Sequence, residues 1–119
     1  MEFEAIIQNL KKNIVHPIYL LQGEEPYYID EISNYIEKNL LTDAEKGFNQ
    51  TVFYGKDSSI ITIAESCLRF PMMASRQVII VKEAQSLQKI DLLTSYAEKP
   101  LASTVLVLNY KYKNLDSRT

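Results

Sequence analysis

Short runs made almost wholly of apolar residues constrain this sequence more than any other feature. They cover 18–21, 78–81 and 104–108. Continuous apolar runs of this length are typical of strands buried on both faces, and such strands occur mainly in parallel sheets. A further segment over 51–54 is rich in β-forming residues and ends at Gly55. The sequence therefore predicts a sheet of four strands.

Segments with helical spacing separate these strands. Apolar residues recur every three or four positions over 2–14, 26–40, 60–68 and 84–98, whereas 41–50 is mostly polar and predicts a loop. The order α-β-α-β-α-β-α-β predicts an α/β fold, with a mostly parallel sheet and helices on both faces. The 119 residues match the size of one domain, so we expect residues 1–119 to form a single domain.

Charge and cysteine content exclude several classes of function. The chain has 13 Lys and Arg residues against 15 Asp and Glu residues, and this net charge of −2 argues against non-specific nucleic-acid binding. Cys67 is the single cysteine and His16 the single histidine, which excludes a disulfide framework and predicts no metal or other cofactor. Cys67 lies on an apolar helical face and is predicted to be buried. No apolar run approaches the roughly 20 residues of a membrane span, and the acidic start is unlike a signal peptide, so we expect a cytoplasmic protein.

The first strand-to-helix turn stands where a phosphate-binding loop would lie in such a sheet. A working loop has the pattern G-x-x-x-x-G-K-[ST]. In the register that begins at Gly23, the second glycine is Tyr28, the lysine is Ile29, and the hydroxyl residue that would hold Mg²⁺ is Asp30. The acidic pair and the proline of 24–26 oppose an anion further, because they add negative charge and remove an N–H donor. The turn therefore predicts that no nucleotide binds.

The third predicted strand carries a matching defect. It is followed by Lys82 and Glu83, where a nucleotide hydrolase would place an aspartate that holds Mg²⁺. Asn109 stands where a polar sensor of the γ-phosphate would lie, and a strand-end cap is its simpler role. A small divergent P-loop nucleotide hydrolase is therefore only an alternative. A receiver-like phosphoacceptor domain ranks below it, because no aspartate directly ends a central strand.

One segment between a helix and a strand has the character of a contact surface. Phe70, Met72 and Met73 are grouped around Pro71, and their spacing fits neither a helix nor a strand. An apolar segment without a matching period is a candidate contact patch, and methionine adapts well to a partner's pocket. The alternative is that these side chains fold back and fill the core.

Three segments together carry a resemblance to a known family. Residues 17–31 contain the degenerate phosphate loop, residues 70–77 read Phe-Pro-Met-Met-Ala-Ser-Arg-Gln before an apolar strand, and residues 109–118 form a polar, basic tail. In order and spacing they resemble the N-terminal domain of the delta subunit family of the bacterial DNA polymerase III clamp loader. The resemblance runs through nearly the whole chain.

The resemblance implies a fold of the AAA+ kind (ATPases associated with diverse cellular activities) that does not itself bind ATP. It implies that Phe70, Met72 and Met73 enter a hydrophobic pocket on the ring-shaped sliding clamp, the beta subunit, and help to open the ring during DNA replication. The implied further partners are the gamma/tau and delta prime loader subunits, with DNA only as part of the complex and no membrane. The parent complex is a DNA-directed DNA polymerase, but no catalytic activity is implied for this domain.

The resemblance also implies a longer parent chain, with a fifth strand that lies beside the first. We therefore expect these 119 residues to be a fragment truncated before the last strand of its sheet. Residues 18–21 would then form an open edge that is apolar on both faces. Such an edge tends to pair with another chain, so we expect the fragment to self-associate.

Overall fold

The predicted apolar runs are neighbouring strands of one parallel sheet. In the computed structural model, which describes residues 2–23 and 26–111, the strand order is β1-β4-β3-β2 and every neighbouring pair is parallel. The strands are β1 (Ile18–Gly23), β2 (Gln50–Tyr54), β3 (Gln77–Lys82) and β4 (Thr104–Lys111). Glu24 and Glu25 of the predicted phosphate loop, and residues 112–119 of the predicted tail, lie outside the described residues.

Helices cover both faces of this sheet, as predicted. They are α1 (Glu2–Lys11), α2 (Pro26–Asn39), α3 (Asp43–Asn49), α4 (Ile60–Cys67) and α5 (Thr94–Glu98). On one face, α1 and α2 pack against alternate strand residues; this core includes Ile29, Ile36, Val78, Ile80 and Val107. On the other face, α4 and the segment between β3 and β4 enclose a second core, which includes Ile63, Ile79, Val81, Leu93 and Leu106.

The strands differ in how fully their two faces are covered. All but the last residue of β3 and of β4 are buried, as the apolar runs predict for inner strands. The same prediction is wrong for β1, in which Tyr19 and Leu21 are buried but Leu20 is 38% exposed. The difference follows from topology, because among the described residues β1 pairs with β4 alone and forms an edge of the sheet.

The prediction of a loop over 41–50 is wrong, because α3 occupies most of that segment. Thr42 caps this helix reciprocally with Glu45: the Thr42 main-chain N–H donates to Glu45 Oε1 at 2.8 Å, and the Glu45 N–H donates to Thr42 Oγ1 at 3.3 Å. A capping box of this kind starts a helix without any apolar stripe. The polar composition therefore concealed a capped helix.

The continuous helix expected over 84–98 is also wrong. The backbone enters the left-handed region at Glu83 and Lys89, with φ of 55° and 58°, and 3-10 turns over Ala84–Ser86 and Ile90–Leu93 precede the short α5. A residue in the left-handed region ends a regular α-helix. The apolar residues of this segment still face the core, because 3-10 turns also return to one face every three residues.

Candidate functional site

The apolar loop, defined here as residues 68–76, joins α4 to β3 at the amino end of that strand. The structure exposes all three side chains singled out in the sequence: Phe70 is 76% exposed, Met72 59% and Met73 99%. They do not fold back into either core. Leu68, at the start of the loop, is exposed as well. Few monomeric domains leave several large apolar side chains clustered in water without a binding role.

The loop leaves α4 in a fixed direction because a buried amide holds its first turn. The Gln77 side chain lies at the start of β3, and its Nε2 is 2.8 Å from the carbonyl oxygens of Ser66 and Arg69 and 2.9 Å from Thr104 Oγ1. The Thr104 hydroxyl in turn donates to the Cys67 carbonyl at 2.8 Å. These bonds supply donors to carbonyl groups in the last turn of α4 and in the first residues of the loop.

A second buried amide holds the middle of the loop. Asn49, the last residue of α3, is only 3% exposed. Its Oδ1 accepts a hydrogen bond from the Met72 main-chain N–H at 2.7 Å, and its Nδ2 donates to the Met72 carbonyl at 2.8 Å. Met73 follows in the left-handed conformation, with φ of 57°. Sequence patterns gave no sign of this bond, because 23 positions separate its two residues.

A further exposed aromatic side chain precedes Asn49 in the sequence. Phe48 lies on α3 and is 75% exposed, although the polar composition of 41–50 predicted only a loop there. Its exposure is visible in the structure and not in the spacing of apolar residues.

Cys67 ends α4 just before the loop and lies in the core. It is fully buried, as predicted, and burial raises the pKa of its thiol to about 12. A thiol with so high a pKa stays protonated at neutral pH and is a poor nucleophile. Among residues 2–23 and 26–111, no group of three or more His, Cys, Asp or Glu residues is placed to hold a metal ion.

The segment that corresponds to a phosphate loop lies at the carboxyl ends of the strands, between β1 and α2. Ile29, at the lysine position, is buried in the core beneath α2, so its side chain faces the sheet. Asp30, at the position of the Mg²⁺-binding hydroxyl, has its Oδ1 2.7 Å from Lys111 Nζ. Tyr28, at the second glycine position, packs its ring edge-to-face on Tyr27, with centroids 5.3 Å apart. These three positions therefore lack the glycine, the lysine and the hydroxyl group with which a P-loop holds a phosphate and its Mg²⁺.

Lys82 and Asn109, the other two residues compared with a nucleotide site, also make contacts within the domain. Lys82 Nζ lies 3.5 Å from Glu37 Oε1, and Glu83 is at the surface. Asn109 is not the strand-end cap expected from the sequence: it lies within β4, is buried, and donates from Nδ2 to Ser33 Oγ at 3.0 Å. The strand continues to Lys111 and carries Asn109 into the contact with α2.

The sequence matches one protein family over most of its length. The model of the DNA polymerase III delta subunit family matches residues 19–119. The chain belongs to that family. DNA polymerase III subunit delta of Bacillus subtilis is 31% identical over 121 aligned residues, which cover 93% of this chain and 35% of that protein. The chain therefore spans about a third of the length of this curated delta subunit.

Solved structures confirm the fold expected for a delta subunit. The DNA clamp loader delta protein of Bacillus subtilis superposes with a TM-score of 0.85 at 29% identity, over 98% of this chain and 38% of that one. A DNA polymerase III gamma subunit-related protein of Thermotoga maritima superposes with a TM-score of 0.60 at 18% identity, over 95% and 40% of the two chains. The second likeness shows a shared fold alone. Within the described ranges 2–23 and 26–111, no helix has the length and apolarity needed to cross a membrane.

Proposed function

We propose that this chain is the N-terminal, clamp-binding domain of a clamp-loader delta subunit. In this proposal Phe70, Met72 and Met73 dock into a hydrophobic pocket on the sliding clamp, and their insertion helps to open the ring during DNA replication. The domain acts in the cytoplasm with the gamma/tau and delta prime subunits, contacts DNA only as part of that complex, and catalyses no reaction itself. Residues 1–119 form one domain of a longer chain.

The observation that carries this proposal is the exposure of three large apolar side chains on a backbone held by hydrogen bonds. Burial of exposed apolar side chains in a partner's pocket lowers the free energy of the complex, by roughly 1.5–3 kcal/mol for each side chain that becomes fully buried. A loop whose conformation is already fixed loses little entropy on docking. The apolar loop therefore has both the driving force and the order that an anchor needs.

The alternative of a small P-loop hydrolase finds no support in the turn between β1 and α2. Ile29 is buried, and the Asp30 carboxylate is 2.7 Å from the Lys111 ammonium group. A hydrolase needs a cation at the first of these positions and an Mg²⁺-binding hydroxyl at the second. We therefore assign the function to the apolar loop.

The experiment that tests the proposal is a binding measurement with the double variant Met72→Ser/Met73→Ser. We expect the variant to bind the sliding clamp of the source organism at least about 30-fold more weakly, which corresponds to a loss of about 2 kcal/mol and is the scale of removing buried interface anchors. Isothermal titration calorimetry gives the affinity. Because both side chains are exposed, the melting temperature should change little.

A matched control separates docking from a general loss of apolar surface. Ile61 and Leu92 are 63% and 56% exposed and lie away from the apolar loop in the sequence. The double variant Ile61→Ser/Leu92→Ser should bind the clamp within about twofold of the unaltered chain, since surface substitutions outside an interface have small effects. Equal affinity of the Met72→Ser/Met73→Ser variant and the unaltered chain would refute the proposal.

A further inference from the structure

We infer that Asn49 is the positioning residue of the apolar loop, and that its amide fixes the backbone from which Met72 and Met73 project. The inference rests on the proposed function, because it concerns the same docking surface. Asn49 Oδ1 and Nδ2 bond to the N–H and carbonyl of Met72 at 2.7 and 2.8 Å. The Asn49 side chain therefore bonds to the Met72 main chain as a neighbouring strand would, with Oδ1 as the acceptor and Nδ2 as the donor.

The hydrogen-bonding capacity of this amide is fully matched to its surroundings. The second Nδ2 hydrogen of Asn49 is directed to the Glu45 carbonyl at 3.0 Å, one turn back in α3. An asparagine side chain offers two N–H donors and one carbonyl acceptor, and all three functions are in use. A buried amide that is satisfied in this way adopts one orientation. Asn49 therefore ties the loop to α3 rigidly.

The loop needs such a tie because its own sequence does not specify its conformation. Pro71 has no N–H to donate, and Met73 adopts a left-handed backbone with φ of 57°. A bulky residue in that region is strained and persists only where its surroundings impose it. Met72 lies between the two, and its main-chain N–H and carbonyl are the groups that Asn49 holds. The exposed Met73 side chain is directed outward as a result.

Loss of the tie should weaken binding without removing any side chain proposed to contact the clamp. In Asn49→Ala the loop samples other conformations, and docking must then select the competent one, which lowers the apparent affinity. We expect the clamp affinity to fall about tenfold. We also expect hydrogen exchange of the Met72 amide in the unbound chain to accelerate by at least tenfold, because that N–H loses its acceptor.

Asn39 provides a matched control. It ends α2 as Asn49 ends α3, and its Nδ2 donates to the Tyr35 carbonyl at 3.0 Å, again four residues back, but it bonds to no part of the loop. Asn39→Ala therefore removes the same local bond from a helix end. Met72 exchange and clamp affinity in that variant should stay within about twofold of the unaltered chain.

A second variant covers the case in which Asn49→Ala fails to fold. Asn49→Ser keeps a hydroxyl that can donate to the Glu45 carbonyl four residues back, but its side chain is too short to bond to the Met72 main chain. We expect Met72 exchange to accelerate at least tenfold and the clamp affinity to fall about tenfold in this variant. Unchanged Met72 exchange in folded Asn49→Ser would overturn the inference.

The two readouts distinguish failure of this inference from failure of the proposed function. Unchanged Met72 exchange in folded Asn49→Ala would overturn the positioning role, whatever the effect on clamp binding. Faster exchange with unchanged clamp affinity would overturn the link between loop order and docking. If the unaltered chain does not bind the clamp but Asn49→Ala still accelerates Met72 exchange, the positioning role stands and the proposed function fails.

Discussion

Gly55 and Gly47 occupy opposite environments, and the contrast shows where backbone packing is tight. A Cβ atom on Gly55, just after β2, would lie 2.1 Å from the Glu83 carbonyl oxygen and 3.0 Å from its carbon. The backbone at Glu83 cannot withdraw easily, because that residue leads from β3 into the 3-10 turn over Ala84–Ser86. A Cβ on Gly47, inside α3, would meet nothing within 4 Å.

This contrast predicts that alanine substitutions at the two glycines change stability in opposite directions. Gly55→Ala should lower the free energy of unfolding by about 1–3 kcal/mol, the usual cost of overpacking. Gly47→Ala should raise it by about 0.4–1 kcal/mol, because alanine has less conformational freedom in the unfolded chain. Urea denaturation of both variants measures the changes. A Gly55→Ala variant as stable as the unaltered chain would show that the turn after β3 can move aside.

Single residues also show the reach of sequence reasoning. The burial of Cys67 followed from its helical apolar face, and Phe70, Met72 and Met73 stood out because their spacing fits no regular element. Asn49 could not be found in the same way, because local patterns carry no information about a bond between residues 23 positions apart. The role of the loop side chains as clamp anchors stays a prediction.

At the scale of elements, the turn between β1 and α2 leads to a prediction about nucleotide. ATP with Mg²⁺ should not stabilise this domain, because Ile29 is buried and Asp30 is bonded to Lys111. A ligand present at 100 times its Kd would add about 2.7 kcal/mol and raise the melting temperature by roughly 10 °C. Differential scanning fluorimetry with and without ATP and Mg²⁺ is the measurement. A clear ATP-dependent shift would revive the hydrolase.

The elements that sequence reasoning found are those with an apolar pattern. The strands β2, β3 and β4 and the helices α1, α2 and α4 follow such patterns, and only their ends shifted. The helix α3 was missed because it has no apolar stripe, although its Thr42–Glu45 capping box is visible in the sequence as Thr-x-x-Glu. The segment over 84–98 was taken for one helix because a spacing of three also fits the 3-10 turns on either side of Lys89.

At the scale of the whole molecule, β1 forms one edge of the described sheet, and this edge predicts self-association. Leu20 is 38% exposed on β1, and beside it lies an apolar groove of about 140 Å³ whose lining includes Ile18, Ile90, Leu93 and Leu108. Edge strands with unpaired N–H and C=O groups tend to pair with another chain. We expect these 119 residues to form dimers or larger species at high concentration. Sedimentation velocity across a concentration series measures this.

Charge at the edge provides the control for that prediction. Leu20→Lys should make the chain monomeric, because a lysine on an edge strand opposes pairing. Ile61→Lys places the same charge on α4, away from β1, and should leave the association unchanged. A chain that sediments as a monomer at every concentration would show that the edge does not drive association.

The topology of the whole sheet was predictable to a large extent. Alternating helices and apolar runs gave a parallel sheet with helices on both faces, and β3 and β4 are the buried inner strands that such runs predict. The composition of β1 predicted burial on both faces, whereas the family resemblance implied an open edge, and among the described residues β1 is the edge strand. The family resemblance is confirmed by the match over residues 19–119.

The buried β3 strand limits how a movement at the far end of the domain could be transmitted to the apolar loop. It begins at Gln77, directly after the loop, and ends at Lys82 at the carboxyl end of the sheet, a span of about 17 Å at roughly 3.3 Å per residue. Close-packed layers on both faces leave it no room to slide or bend. Under the proposed function, the loop therefore reaches the clamp by movement of the domain as a whole, and not by a shift of β3 within the sheet.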